Sequence, residues 1–251
     1  RQCRARRVST VNKELHSPTM ARAAVFGASG AMGRCVVNSL ARDDRIGTVV
    51  AVVRTEQPAA FWFLEGDPAW AKVEVLVVPD ISQTPTIRCD FGFCCIGVYT
   101  GVPEAKFREV EVGLNTKAAE AMKAGGARRC CYLSGAGVTG KGMLFSRVKG
   151  AAEAALRGVG FESFACFRPP GIMDRPGRRV YGPAEECINS AGRFLLRTNG
   201  FVRAEDIAWA MTRFCFADAP LHIYEASDIK ANAKAYKAER GVKETRYRLG
   251  M

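Results

Sequence analysis

Three glycines, Gly27, Gly30 and Gly33, follow the apolar run Ala23-Ala24-Val25-Phe26 at three-residue intervals and lead into an amphipathic stretch. The pattern reads as strand, phosphate loop, helix. The first glycine permits the sharp turn off the strand, the second lets backbone approach a pyrophosphate, and the third lets the helix pack closely on the sheet. Amides at the helix N-terminus would then face phosphate, so Gly27, Ser29, Gly30, Ala31, Met32 and Gly33 are candidate cofactor contacts. The same glycines also serve tight turns in α/β proteins without a nucleotide. Their place just after Met20, at the first strand, favours the nucleotide.

Downstream, apolar runs and amphipathic segments alternate. Val36, Val37 and Leu40 give a helix, and Thr48–Val53 a second buried strand. The residue ending that strand selects the cofactor: an acid bonds the ribose hydroxyls of NAD, whereas a basic residue accommodates the extra phosphate of NADP. Here it is Arg54, which favours NADP. Lys72–Val78 reads as a third strand, after a loop whose Phe61, Trp62, Phe63 and Trp70 read as core or interface aromatics. Phe91–Gly97 reads as the fourth strand, and a helix from Pro103-Glu104 to Ala124 closes at Gly125-Gly126. Cys130–Ser134 is a fifth strand, 144–157 a helix, and Phe164–Arg168 a sixth strand. Glu205–Phe216 reads as a helix, Leu221–Glu225 as a last strand, and Ser227-Asp228 as the cap of a terminal helix.

This order predicts an α/β fold, a right-handed doubly wound parallel sheet of Rossmann type, in a single domain. The loop-rich stretch after Pro169 becomes a small substrate-cover segment at about 171–200. The organisation expected is a basic N-terminal extension over 1–20, the Rossmann domain over 21–229, and a basic C-terminal helix and tail over 230–251.

The chain has 251 residues and a formal net charge of +12, of which nine charges lie in 1–20 and 230–251. The body is therefore close to neutral, which argues against direct nucleic-acid binding; basic ends suit an acidic protein partner or a membrane surface. Cys94-Cys95 and Cys130-Cys131 lie on strands, where neighbours point to opposite faces, so neither pair can bridge itself or hold one metal easily. Buried thiols in a reducing compartment are expected. With two histidines and no CxxC, no metal site is expected. No apolar run approaches the ~18 residues needed to span a bilayer. The arginine-rich, acid-free first twelve residues read either as the remains of a mitochondrial presequence or as sequence before a true start at Met20.

Taken together, FGASGAMGR, DFGFCCIG, AMKAGGARR, YLSGAG, SRVKG and FRPPG resemble the short-chain dehydrogenase/reductase superfamily, in its atypical branch that includes the Tat-interacting oxidoreductase-like protein family. The likeness covers about residues 22–171. It implies NADP(H) binding, with Asp80 and Ile81 near the adenine, Cys95 and Gly97 along the cofactor, and Pro170-Gly171 near the nicotinamide. It also implies a Ser, Tyr, Lys catalytic group, the tyrosine four residues before the lysine on one helix face. Ser134 and Lys149 match, Lys149 also as a cofactor ligand to the ribose. Phe145 stands where the tyrosine belongs, and it has the ring without a transferable proton. Tyr99, on a loop facing the site, is the alternative acid; Ser146 is one residue off the required face and Tyr132 sits back within its strand.

Two readings follow. One is a catalytically degenerate, cofactor-holding accessory subunit of a larger mitochondrial respiratory assembly on the matrix side, contacting other protein subunits through its basic ends. The superfamily likeness supplies a precedent in an accessory subunit of the large mitochondrial NADH:ubiquinone oxidoreductase. The other is an active NADP-dependent oxidoreductase on a small carbonyl substrate, in a cytoplasmic or mitochondrial setting. A regulatory cofactor role, like that of the Tat-interacting relative, rests on resemblance alone.

Overall fold

The computed structural model describes residues 20–63, 66–98, 101–173, 201–218, 220 and 222–242. Strands β1 (Ala21–Phe26), β2 (Ile46–Val53), β3 (Val73–Val77), β4 (Phe91–Cys94), β5 (Arg129–Leu133) and β6 (Ser163–Phe167) alternate with helices. These are α1 (Ala31–Arg42), the short α2 (Ala59–Trp62), α3 (Glu104–Arg108), α4 (Asn115–Ala124) and α5 (Leu144–Gly158). A two-residue pair, β7 (Ile172–Met173) and β8 (Val202–Arg203), precedes α6 (Ala204–Phe214), β9 (Ile223–Tyr224) and α7 (Ala226–Arg240). The main sheet is parallel throughout, in the order β3-β2-β1-β4-β5-β6-β9. The doubly wound parallel sheet read from the alternation is therefore the fold observed.

Central strands covered on both faces must be apolar throughout, because neighbouring residues serve opposite cores. Phe26, Cys94, Tyr132 and Cys166 align in register and face α4 and α5. Val25, Phe93, Cys131 and Ala165, each one residue earlier, face α1 and α6. Adjacent cysteines thus divide between the two cores. The eight described cysteines are free thiols. Burial pushes the thiols of Cys35, Cys89 and Cys166 up to about 12.

Local boundaries depart from the periodicity for identifiable reasons. Lys72 belongs to a 3₁₀ turn over Pro68–Lys72, capped by the Asp67 carboxylate, so β3 starts one residue later than expected. The helix expected from Pro103 to Ala124 carries a π-helical turn over Glu109–Leu114 between α3 and α4. The cap of α7 is Glu225 rather than Ser227-Asp228, because the backbone remains extended only as far as Glu225. Asp228 acts from inside the helix, accepting from the Glu225 amide at 3.0 Å. Phe61, Trp62, Phe63 and Trp70 do pack against the α1 core.

The boundary at 229/230 falls inside α7. That helix lays Ala233 and Tyr236 on Trp209 of α6, and the Tyr236 hydroxyl donates to buried Asp43 at 3.0 Å. Residues 230–240 are accordingly packed on the body. The extension at 1–19, Tyr99, most of the cover segment (174–200) and the end at 243–251 lie outside the described residues. Among the described residues no helix is long and apolar enough to cross a membrane, and no group of three or more His, Cys, Asp or Glu could hold a metal ion.

Candidate functional site

The order β2-β1-β4 makes β1 the point where the chain's winding reverses, and the carboxyl ends of such strands flank a crevice. Gly27 leaves β1 with φ +73°, and a Cβ there would lie 2.7 Å from the Cys95 carbonyl group. The loop therefore lies directly against the end of β4. The Gly30 amide donates to the Gly27 carbonyl at 2.9 Å, and Arg34 donates to the Gly30 carbonyl at 2.9 Å as α1 begins. A Cβ on Gly33 would stand 2.1 Å from the Gly27 oxygen, so α1 packs backbone to backbone on the loop. Gly30 caps α1 without a side chain, and the amides of Ala31, Met32 and Gly33 precede Arg34, the first amide to donate within the helix. Ser29 and Gly30 are exposed at the crest. This is backbone arranged to receive an anion.

Arg54 is exposed just beyond β2, and no hydrogen bond or ion pair holds it among the described residues. Asp80 is exposed too, but its oxygens accept from the Ser82 amide (2.9 Å), the Ser82 hydroxyl (2.7 Å) and Gln83 (3.2 Å). Those bonds, led by the Ser82 hydroxyl, hold its carboxyl below the ordinary value. Ile81 is buried against the α4 core. Arg34, in the first turn of α1, lies 4.0 Å over the Phe61 ring and donates to the Phe61 carbonyl. Helix α1 is thereby tied to the segment that follows Arg54.

The other half of the crevice gathers the ends of β4, β5 and β6 with α5 and the π-helical turn. Ser134 and Lys149 are both 7% exposed, and each meets a buried carboxylate. The Ser134 hydroxyl donates to Glu153 Oε1 at 2.6 Å. Glu153 also receives two bonds from Arg168, at 2.9 and 2.5 Å, which raise the guanidinium's pKa above its ordinary value. The Lys149 ammonium donates to Glu111 Oε2 at 2.8 Å and to the Leu133 carbonyl at 3.1 Å. Glu111 also accepts from the Tyr132 hydroxyl (2.8 Å) and the Val98 amide (3.3 Å). Desolvation, reinforced by that carboxylate, pushes the Tyr132 phenol far up, so it stays protonated.

Phe145 stacks on Phe107 with ring centroids 6.5 Å apart, and its para carbon lies 2.4 Å from where a Cβ on Gly135 would stand. The aromatic position on α5 thus adjoins the Ser134 loop with carbon alone. Ser146 is directed elsewhere, accepting from the Thr139 amide at 2.9 Å. Cys95 continues the sheet through its amide to the Phe26 carbonyl (3.0 Å), and burial raises its thiol. Gly97 faces Glu111, whose Oε1 would lie 3.4 Å from a Cβ there. Pro170 is exposed, and Gly171 accepts from the Val202 amide at 2.9 Å beside the Phe201 ring.

Ser134, Phe145 and Lys149 thus share one wall, and Gly97 joins them through Glu111. Glu111 and Glu153 are what sequence reasoning missed. The available signal was polar residues on buried helix faces at four-residue spacing: Glu111 between Phe107 and Asn115, and Glu153 four after Lys149. A buried carboxylate is rarely left without a cation.

No family model matches the chain. It is 26% identical over 186 residues to the mitochondrial protein Fmp52 of Aspergillus clavatus, covering 70% of this chain and 76% of that protein. Among solved structures, MoeE5 in complex with UDP-glucuronic acid and NAD superposes with a TM-score of 0.62 at 18% identity, over 82% of this chain and 76% of that one. The Bordetella bronchiseptica enzyme WbmG in complex with NAD gives 0.62 at 12% identity, over 92% and 82%. The Bacillus cereus UDP-glucuronic acid 4-epimerase with NAD gives 0.60 at 13% identity, over 82% and 76%. With the strand order and the glycine loop already in place, these likenesses identify the fold as that of the Rossmann, short-chain dehydrogenase/reductase-like proteins.

Proposed function

We propose that this chain binds a nicotinamide dinucleotide, with NADP(H) preferred over NAD(H), and that its own hydride-transfer chemistry is slow. The observation carrying the reading is the backbone cradle: Gly27 at positive φ against Cys95, followed by uncapped amides of α1. The solved structures named above hold NAD in the same fold. Arg54, exposed beyond β2 without an acid in its place, is suited to pair with a 2′-phosphate.

Such a cofactor would supply the hydride. The chain's part would be to orient a carbonyl and deliver a proton. Ser134 can still accept a hydrogen bond through its oxygen, and Lys149 keeps one N–H beyond the two engaged by Glu111 and Leu133. Phe145 has no proton to give. A positioned general acid contributes about 10²–10⁴-fold, so turnover should be correspondingly weak. A protein that holds a cofactor and turns over slowly suits an accessory role within a mitochondrial assembly, and the likeness to mitochondrial Fmp52 supports that location.

NADPH and NADH titrated into the full chain, followed by nucleotide fluorescence, test the binding half. Tighter NADPH binding is expected, and equal affinities would remove the NADP assignment. For the chemistry, NADPH oxidation is assayed with aldehydes, ketones and quinones. Phe145→Tyr should raise a feeble rate with cofactor affinity unchanged, and the gain should vanish on Lys149→Ala. Vigorous turnover by the unmodified chain would overturn the degenerate reading, and its loss in Tyr99→Phe would move the acid to that loop. Retention of the chain in a large particle from solubilised mitochondria tests the accessory role; migration solely as a free monomer would count against it.

A further inference from the structure

The geometry points to Glu111 as the positioning residue of the crevice, which locks Lys149 and the Gly97-Val98 backbone into one unit before any cofactor arrives. This rests on the cofactor reading above.

Glu111 is 1% exposed and joins three separate elements: α5 through Lys149, β5 through Tyr132, and the loop after β4 through the Val98 amide. Its own placement depends on the π-helical turn, a feature frequent at functional sites. Asn115, fully buried, reaches back to the carbonyls of Ile96, Val110 and Glu111 at 3.2, 3.3 and 3.1 Å. The turn's backbone and the loop after β4 are thereby held by one side chain.

The Cys95–Val98 segment runs from the phosphate loop to this carboxylate. At one end Gly27 abuts Cys95; at the other Gly97 and Val98 meet Glu111 Oε1. Glu111 therefore stands where the anion-receiving backbone ends and the Ser134, Lys149 wall begins. With two Lys149 donors committed to Glu111 and Leu133, the third is left with a restricted direction, which suits a ribose hydroxyl. The carboxylate also offsets the cost of keeping an ammonium at 7% exposure.

The test separates the two halves of the cofactor. NADPH and adenosine 2′,5′-bisphosphate, which lacks the nicotinamide riboside, are titrated into the unmodified full chain, Glu111→Gln, Lys149→Met and the double variant, with folding checked by circular dichroism. Each single variant should weaken NADPH about tenfold or more and leave the bisphosphate unchanged. The double variant should be no weaker than the worse single one, since both act through one contact. Unchanged NADPH affinity in Glu111→Gln overturns the inference, and equal weakening of both ligands overturns it by showing general structural damage. Failure of the unmodified chain to bind either ligand overturns the cofactor reading itself, and this inference with it. If Glu111→Gln does not fold, the double variant, which leaves no lone buried charge, reads the same split, and unchanged NADPH affinity there is the overturning result.

Discussion

The two halves of the crevice are built from different materials. Around Gly27, Gly30 and Gly33 the surface is backbone, and contacts of 2.1 and 2.7 Å from a hypothetical Cβ show that side chains are excluded. Around Ser134 and Lys149 the surface is side chain, each polar group held by a carboxylate with 4% or less exposure. A backbone cradle is specified by local conformation and tolerates little change. A wall of paired charges is specified by residues far apart in sequence: Glu111 lies 38 residues from Lys149, and Glu153 lies 19 from Ser134. The first presents helix amides that no side chain caps. In the second, an incoming polar group meets partners already engaged, with one Lys149 N–H and the Ser134 oxygen left to it.

This contrast can be broken experimentally. The largest effect is expected at Glu153, whose removal takes the near partner from the Ser134 hydroxyl and leaves the half-buried Arg168 guanidinium with only its longer, 3.4 Å bond to Glu225. Glu153→Ala should cost about 3 kcal/mol in urea unfolding, since it removes the buried member of the pair and both of its short bonds to Arg168. A loss below about 1 kcal/mol would show that Glu225 suffices to hold the guanidinium. Next, Gly33→Ala forces a Cβ onto the Gly27 oxygen and should cost about 2 kcal/mol while abolishing nucleotide binding. Full stability in that variant would mean that α1 does not pack as described.

Arg54→Asp sharpens the contrast from the ligand's side. Stability should stay within about 0.5 kcal/mol, as for exposed substitutions, while the NADPH over NADH preference reverses by about tenfold or more. A preference that survives the change would place the determinant elsewhere. The smallest effect is a pH slope at Asp43, remote from both halves. Burial alone would raise its carboxyl, but hydrogen bonds from Arg45 and Tyr236, with the Arg45 charge, bring it below the ordinary value. The stabilisation is therefore complete above the unfolded carboxyl value of about 3.9 and is lost as pH falls through the lower folded value. Urea midpoints between about pH 2 and 6 should fall less steeply in Asp43→Asn than in the unmodified chain. Parallel slopes would mean that other carboxylates govern acid sensitivity.

Most of the fold was legible because parallel strands leave continuous apolar runs and the glycine loop imposes a conformation readable at single residues. That Phe145 and Lys149 lie on one helix face was legible too, through their four-residue offset. Glu111 and Glu153 were not, because each earns its burial from a cation that only tertiary packing delivers. The π-helical turn escaped for a related reason: Asn115 satisfies its carbonyls from the side, and no local pattern of apolar residues records that. The boundary at 229/230 followed charge, whereas Tyr236 reaches Asp43 across 193 residues. Lys237 and Arg240 lie beside Asp206 and Asp44 of the body, so that part of the basic end is paired.

The distribution of sulfur across the central sheet has a kinetic consequence. Cys94, Cys130, Cys131 and Cys166 are wholly shielded from solvent on two faces of three adjoining strands. Burial raises the thiols of Cys130, Cys131 and Cys166, while reaction with alkylating agents and oxidants proceeds through thiolate. Chemical attack must therefore wait for the strands to part. Its rate measures how often the middle of the sheet opens, and a bound ligand that holds the strand ends together should slow every one of these sulfurs at once.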